Sequence, residues 1–264
     1  MSSDPVPTDG WYAPWALLPD GWVRDVEFLT DERGIIREVR REVAASRLVE
    51  TGGPVVPGMP NVHSHAFQRA LIGRTNRVHA RDDFWSWREA MYRLVAVLEP
   101  EDLEAITAWT YGSLLAEGYT AVGEFHYVHH TPSGDPYEDP AELSRRVVSA
   151  AETTGIGLTL LPVLYERGGF DGRSLEGPAV RFGHQIDGFL RLLDLIRNDL
   201  TGSGHRVGAA PHSLRAVSLA DLRTLADHLD ADIPVHIHVA EQPAEVDSCL
   251  RVHGRRPVEL LLHT

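Results

Sequence analysis

The sequence contains no lysine and a single cysteine, Cys249. One cysteine excludes an internal disulfide and any cysteine-built zinc site, and such sparse usage fits a reducing compartment. Without lysine, all 25 cations are arginine, set against 38 aspartates and glutamates for a net charge of −13. That acidic balance argues against nucleic-acid or membrane-surface binding, which needs a basic patch. No run approaches the ~20 apolar residues of a membrane span. Met1–Gly10 lacks the basic and apolar regions of a secretory leader, so the expectation is a soluble, cytoplasmic protein. Low-complexity segments, charge runs and clear repeats are absent too. What is abundant is histidine, with 14 copies in 264 residues.

Residues 11–50 read as short strands. Trp22–Phe28 and Ile35–Val39 flank Asp31-Glu32-Arg33-Gly34, a good hairpin turn. From Val55 the pattern changes to strands alternating with amphipathic helices. Strands are expected at Val55–His63, Thr120–His126, Ile156–Tyr165, Val207–His212 and Ile233–Val239. Helices are expected at Asp82–Val97, Pro100–Glu117, Pro140–Thr154, Gly183–Asn198 and Ser218–Leu229, the last with Ser218 as N-cap. Two further helical turns follow at Glu241–Leu250 and Pro257–His263. These five βα units predict an α/β fold with a parallel sheet. Histidines recur at the carboxyl ends of successive strands, at His63/His65, His126, His212 and His238. A (β/α)₈ barrel gathers such ends into one mouth, whereas an open sheet spreads them along an edge. Five units are fewer than the eight that close a barrel, so an incomplete barrel is expected, open on one side.

Two clusters carry chemistry. In Asn61-Val62-His63-Ser64-His65 the two imidazoles share one face of a strand, and neutral imidazole is a standard zinc ligand. In His236-Ile237-His238-Val239-Ala240-Glu241, His236 and His238 also share a face, and alternation does not choose between them as the ligand. A metal acidifies water, and a carboxylate just past the strand end can carry its proton to a leaving nitrogen. With no lysine available to bridge two metals as a carbamate, a single-metal site is expected. His79, His184, His205, His228, His253 and His263 show no pairing and read as solvent-facing or locally bonded. His129 and His130 receive no role.

The stretch Pro57-Gly58-Met59-Pro60-Asn61-Val62-His63-Ser64-His65-Ala66-Phe67-Gln68-Arg69-Ala70 resembles the first-strand motif of the amidohydrolase superfamily. Phe84–Glu89, Glu124–Tyr127, Ala210–Arg215 and His236–Gln242 narrow the resemblance to its formimidoylglutamate deiminase family, along essentially the whole chain. The resemblance implies Zn²⁺ on His63, His65 and His238, with Glu241 as general acid/base. It places Gln68, Arg88, Tyr127, His212 and Arg215 around a small-molecule dicarboxylate, for which arginine's forked donors suit carboxylates. It implies hydrolysis of N-formimino-L-glutamate to N-formyl-L-glutamate and ammonia, in histidine degradation. It further implies that residues 1–54 belong to a small β-sandwich domain and residues 55–264 to the first part of the barrel. No nucleic acid or membrane partner is expected, and a homodimer is compatible with the full-length form. The family's sixth-strand histidine and eighth-strand aspartate have no counterpart here, so the chain reads as a C-terminally truncated fragment, inactive alone. Two alternatives remain: a heterocycle aminohydrolase acting on guanine or an S-adenosyl compound, and a non-catalytic metal-binding remnant.

Overall fold

The computed structural model describes residues 9–73 and 84–264, so His79 and the expected helix start at Asp82 lie outside the described residues. The chain divides into two units, Met1–Gly58 and Met59–Thr264. In the first, β1 (Asp9–Leu18), β2 (Gly21–Thr30), β3 (Ile36–Arg40) and β4 (Val49–Glu50) form one sheet in the order β3-β2-β1-β4. The β2–β3 hairpin turns on Asp31, whose carboxylate accepts the backbone N–H groups of Arg33 at 2.9 Å and Ile35 at 3.0 Å. That is the side-chain mimicry of a backbone turn that makes aspartate common there. Ala13, Ala16 and Val26 are fully buried, with Val55 packed against them. Val55 hydrogen-bonds to Trp15 and Leu17 of β1, so it sides with the first unit, which ends at Gly58, four residues beyond residue 54.

The second unit begins with β5 (Met59–Ser64), a 3₁₀ turn at Ala66–Leu71 and helices α1 (Phe84–Val95) and α2 (Pro100–Ala116). Then follow β6 (Tyr119–His126), α3 (Glu142–Thr154), β7 (Gly157–Leu164), a 3₁₀ turn at Gly177–Phe182 and α4 (Ile186–Asp199). The remainder is β8 (Arg206–Val207), β9 (Ala210–Pro211), α5 (Leu219–His228), α6 (Pro243–His253) and α7 (Pro257–Leu261). The strands run parallel in the order β5-β6-β7-β8, with β9 also on β7, and with their helices they form part of a (β/α)₈ barrel. Helix ends follow local chemistry: Pro100 opens α2, Gly118 follows it at φ +88°, and the Ser218 hydroxyl caps α5 by accepting Asp221 N–H at 3.0 Å. In β7, Leu158, Leu160, Leu161, Val163 and Leu164 are all buried, the near-continuous apolar run of a strand covered on both faces. Among the described residues, no helix is long and apolar enough to cross a membrane.

The last two expected strands are interrupted. Val207–His212 is split into β8 and β9 at Gly208, where an added Cβ would lie 2.4 Å from the Pro234 carbonyl oxygen. Ile233–Val239 is no ladder but two isolated bridges, Ala209–Val235 and Ser213–His238. Its backbone bonds run from His236 N–H to Ala209 and from His238 N–H to His212, two steps on one strand against three on the other. Pro211 and Pro234 have no N–H to repair the slip. Beyond this segment α6 and α7 close a small cluster in which Cys249, 0% exposed, packs with Leu214 and Leu260.

Candidate metal centre

The end of β5 carries the first two imidazoles. Its pairing with β6 runs Asn61↔Val122 and then Ser64↔Glu124, an irregularity of three residues against two. Past it the strand stops, and the His65 ring turns its Nδ1 to the Phe125 carbonyl oxygen at 3.0 Å. A carbonyl only accepts, so Nδ1 carries the hydrogen and Nε2 presents a lone pair. His63 Nε2 lies 3.1 Å from His65 Nε2 and 3.1 Å from His238 Nε2. Ligand nitrogens of these three residues all fall within 4.8 Å of one another.

Three imidazole nitrogens this close together could hold a metal ion. Protons are disfavoured there: burial, then the neighbouring His238 and His63, pushes His65 down to about 3. Burial, then His63 and Arg215, pushes His238 down to about 4. His63 is lowered as well, by burial and His236, with Glu241 opposing. Neutral imidazoles are the form that binds metal, and an all-imidazole donor set suits zinc or a similar transition ion. The donors therefore fit one divalent ion. Of the outer nitrogens, His65 Nδ1 has its carbonyl, while His238 Nδ1 is buried without a partner among the described residues.

Glu241 stands just past the His238 bridge. Its N–H and that of Ala240 both donate to the Glu245 carboxylate, each at 3.2 Å. Ala240 sits at φ +55°, a left-handed conformation uncommon for a residue with a Cβ. Glu245, in the first turn of α6, is 4% exposed, so the bend bearing Glu241 is tied down by a buried carboxylate.

A cavity of about 380 Å³ brings together all nine residues singled out in the sequence: His63, His65, His238, Glu241, Gln68, Arg88, Tyr127, His212 and Arg215. His236 is not in its wall. The Gln68 amide donates to the Tyr127 hydroxyl at 2.7 Å. Arg88 donates from Nε and Nη2 to the Tyr92 hydroxyl at 2.9 and 2.6 Å. The Arg215 guanidinium acts on the Tyr165 hydroxyl, favouring its ionised form against burial. His212 is held neutral, chiefly by burial and further by His238, Arg215, His65 and Arg88. Burial also raises the Tyr127 and Tyr165 hydroxyls above their ordinary range.

Sequence reasoning missed Trp87, Met91, Tyr92, Tyr165 and Phe182 in the wall. Tyr165 directly follows β7, and its place at a strand's carboxyl end was the available signal. Phe182 comes from a 3₁₀ turn that carries no periodicity. His184, expected to be unpaired, instead packs its ring 4.9 Å from His129 and 4.6 Å from His130. His228 is bonded at 3.0 Å to Asp194 on α4 rather than to its own helix.

The sequence pattern of the amidohydrolase family matches residues 55–261. The chain is 48% identical over 251 residues to a formimidoylglutamate deiminase of Pseudomonas aeruginosa, covering 95% of this chain and 55% of that protein. It is 30% identical to a 5-methylthioadenosine/S-adenosylhomocysteine deaminase of Natronomonas pharaonis, covering 92% of this chain and 51% of that one. Among solved structures, an amidohydrolase from Brucella melitensis superposes with a TM-score of 0.89 at 42% identity, over 97% of this chain and 57% of that chain. The chain thus spans about half the length of the relatives it matches.

Proposed function

Because the chain belongs to the amidohydrolase family, we propose that its cavity is the active site of a zinc-dependent deiminase that converts N-formimino-L-glutamate to N-formyl-L-glutamate and ammonia. The activity is proposed for the whole enzyme, acting in the cytoplasm in histidine breakdown, with a homodimer as its assembly. The observation that carries this reading is the joint presence of the three-imidazole cluster and of Arg88 and Arg215 in one cavity. The similarity to the Pseudomonas aeruginosa enzyme supports it.

In this reading His63, His65 and His238 hold the ion, and the ion when bound supplies Lewis acidity and acidifies water. Glu241 takes a proton from the attacking water and delivers it to the departing nitrogen. A C–O bond forms at the formimino carbon, its C–N bond to the terminal nitrogen breaks, and ammonia leaves. Arg88 and Arg215 each grip one carboxylate, since a guanidinium makes two parallel charge-assisted hydrogen bonds to such a group. His212, neutral, offers one donor or acceptor beside Arg215, and the Gln68–Tyr127 hydrogen bond fixes the tyrosine whose ring packs against His212.

The kinship to the Natronomonas pharaonis deaminase favours one second reading, an aminohydrolase acting on a purine nucleoside. A heterocycle has less need of two carboxylate clamps. Ammonia release by the full-length form separates the readings: turnover of formiminoglutamate and not of purine nucleosides is expected. The reverse result would establish the heterocycle reading, and turnover of neither by a form that binds metal would leave a non-catalytic metal-binding remnant.

A further inference from the structure

We propose that Glu124 is a positioning residue for the metal centre: its buried carboxylate fixes the backbone from Ser64 to Ala66, so that the His63 and His65 nitrogens meet His238. The proposal rests on reading the three imidazoles as a metal site and is independent of the substrate.

Glu124 lies on β6 and is 2% exposed. It takes no place in the wall of the cavity, so it touches neither substrate nor metal. One carboxylate oxygen accepts the N–H of Ala66, the residue after His65, at 2.7 Å. The other accepts the hydroxyl of Tyr111, itself fully buried on α2, at 3.2 Å. The Ser64 side chain, between the two histidines, favours the ionised form of this carboxyl, against the burial that raises it. A single carboxylate therefore joins the end of β5, the start of the 3₁₀ turn and α2.

The need for it follows from the ladder. The β5–β6 register slips between Asn61 and Ser64, and beyond Ser64 the chain leaves the sheet. The N–H of Ala66 then opens a helical turn, where no backbone carbonyl can serve it. A buried donor left bare pays the full cost of its lost solvation, which would favour a different path for the His63–His65 backbone. Glu124 supplies the missing acceptor. Its neighbours on β6 complete the arrangement: the Phe125 carbonyl orients the His65 ring. Gly123 allows close approach, since a Cβ there would stand 2.9 Å from the Val62 carbonyl oxygen.

Cobalt(II) titration of the full-length form, followed by the visible bands that report coordination geometry, tests this without any turnover. Glu124→Ala should weaken cobalt binding by ~10–100-fold, the usual cost of removing a group that orients ligands, and should broaden the bands. Glu124→Gln keeps an acceptor for Ala66 N–H in the same volume and should bind as the unaltered chain does. Thermal melts of the metal-free forms separate positioning from general support, and the loss of affinity should persist at temperatures where the variant is fully folded. If Glu124→Ala does not fold, Tyr111→Phe, which frees one carboxylate oxygen, should still weaken binding while Glu124→Gln does not. Unchanged affinity in a folded Glu124→Ala, or in Tyr111→Phe where that variant is the test, overturns the proposal. So does a Gln variant as weak as the Ala variant. An unaltered chain that binds no cobalt defeats the metal-site reading itself, and the proposal with it.

Discussion

His63 and His65 stand at the end of a strand paired along β6, whereas His238 and Glu241 stand on a segment that meets its neighbour at two isolated bridges. The first end takes its geometry from the sheet, with Phe125 and Glu124 of β6 holding the ring and the backbone. The second takes its geometry from one side chain, Glu245, which gathers the N–H groups around a left-handed Ala240. Of the three proposed ligands, two are thus placed by the sheet and one, His238, by the irregular segment, while the group proposed to move a proton sits on a bend. Loops held by a rigid scaffold are where such mobile roles are usually placed.

The largest expected effect breaks the first end. His65→Ala removes the nitrogen that the Phe125 carbonyl aims at the centre, and equilibrium dialysis with zinc should find no binding at this site. Next comes the second end. Glu241→Gln in the full-length enzyme should lower ammonia release by ~10²–10⁴-fold, the range for a lost general acid/base, with bound metal unchanged. Loss of metal in that variant would make Glu241 a ligand and erase the distinction between the two ends. Arg215→Lys, on the turn between β9 and α5 that begins at the Ser213–His238 bridge, keeps the charge but loses the fork. Its expected cost is about 1.5–3 kcal/mol, or ~10–150-fold in kcat/KM for the dicarboxylate, the worth of a charged hydrogen bond.

What the sequence made legible and what it did not follow the same division. The i, i+2 spacing of His63 and His65 was readable because a strand's side chains alternate. The β2–β3 hairpin, α2 and the Ser218 cap were readable because their signals are local. The strand expected at Ile233–Val239 was not, since its apolar pattern is that of a strand while Pro211 and Pro234 deny it a ladder. Glu124, cited only within a motif, was given no role, and Glu245 passed unnoticed, for a related reason. Each serves backbone donors that are left bare only by a slip or a bend, and neither shows in a residue pattern. His184 was misjudged because its ring partners lie more than fifty residues earlier in the chain.

The smallest effect sharpens the account of the first end through pH. His126, at the end of β6, is pushed down to about 4 by burial, as is His184 by burial and the adjacent His130. In the unfolded chain both titrate near ~6.5. The unfolded state therefore binds more protons between these values, so stability from both groups is complete above the unfolded value and is lost as pH falls toward 4. The urea midpoint of the metal-free chain should drop between pH 7 and pH 5, and a folded His126→Gln variant should show a shallower drop.

The buried Cys249 gives the second end a clock. Its thiol is enclosed with Leu214 and Leu260, and Leu214 immediately precedes Arg215. A disulfide reagent in solution can reach the sulfur only when α6 and α7 part from that turn, and the chain has no other thiol to confuse the colour change. The rate of thiol exchange thus counts openings of the arginine-bearing turn. A small dicarboxylate that settles on Arg215 would register as a slower reaction at a sulfur it never touches.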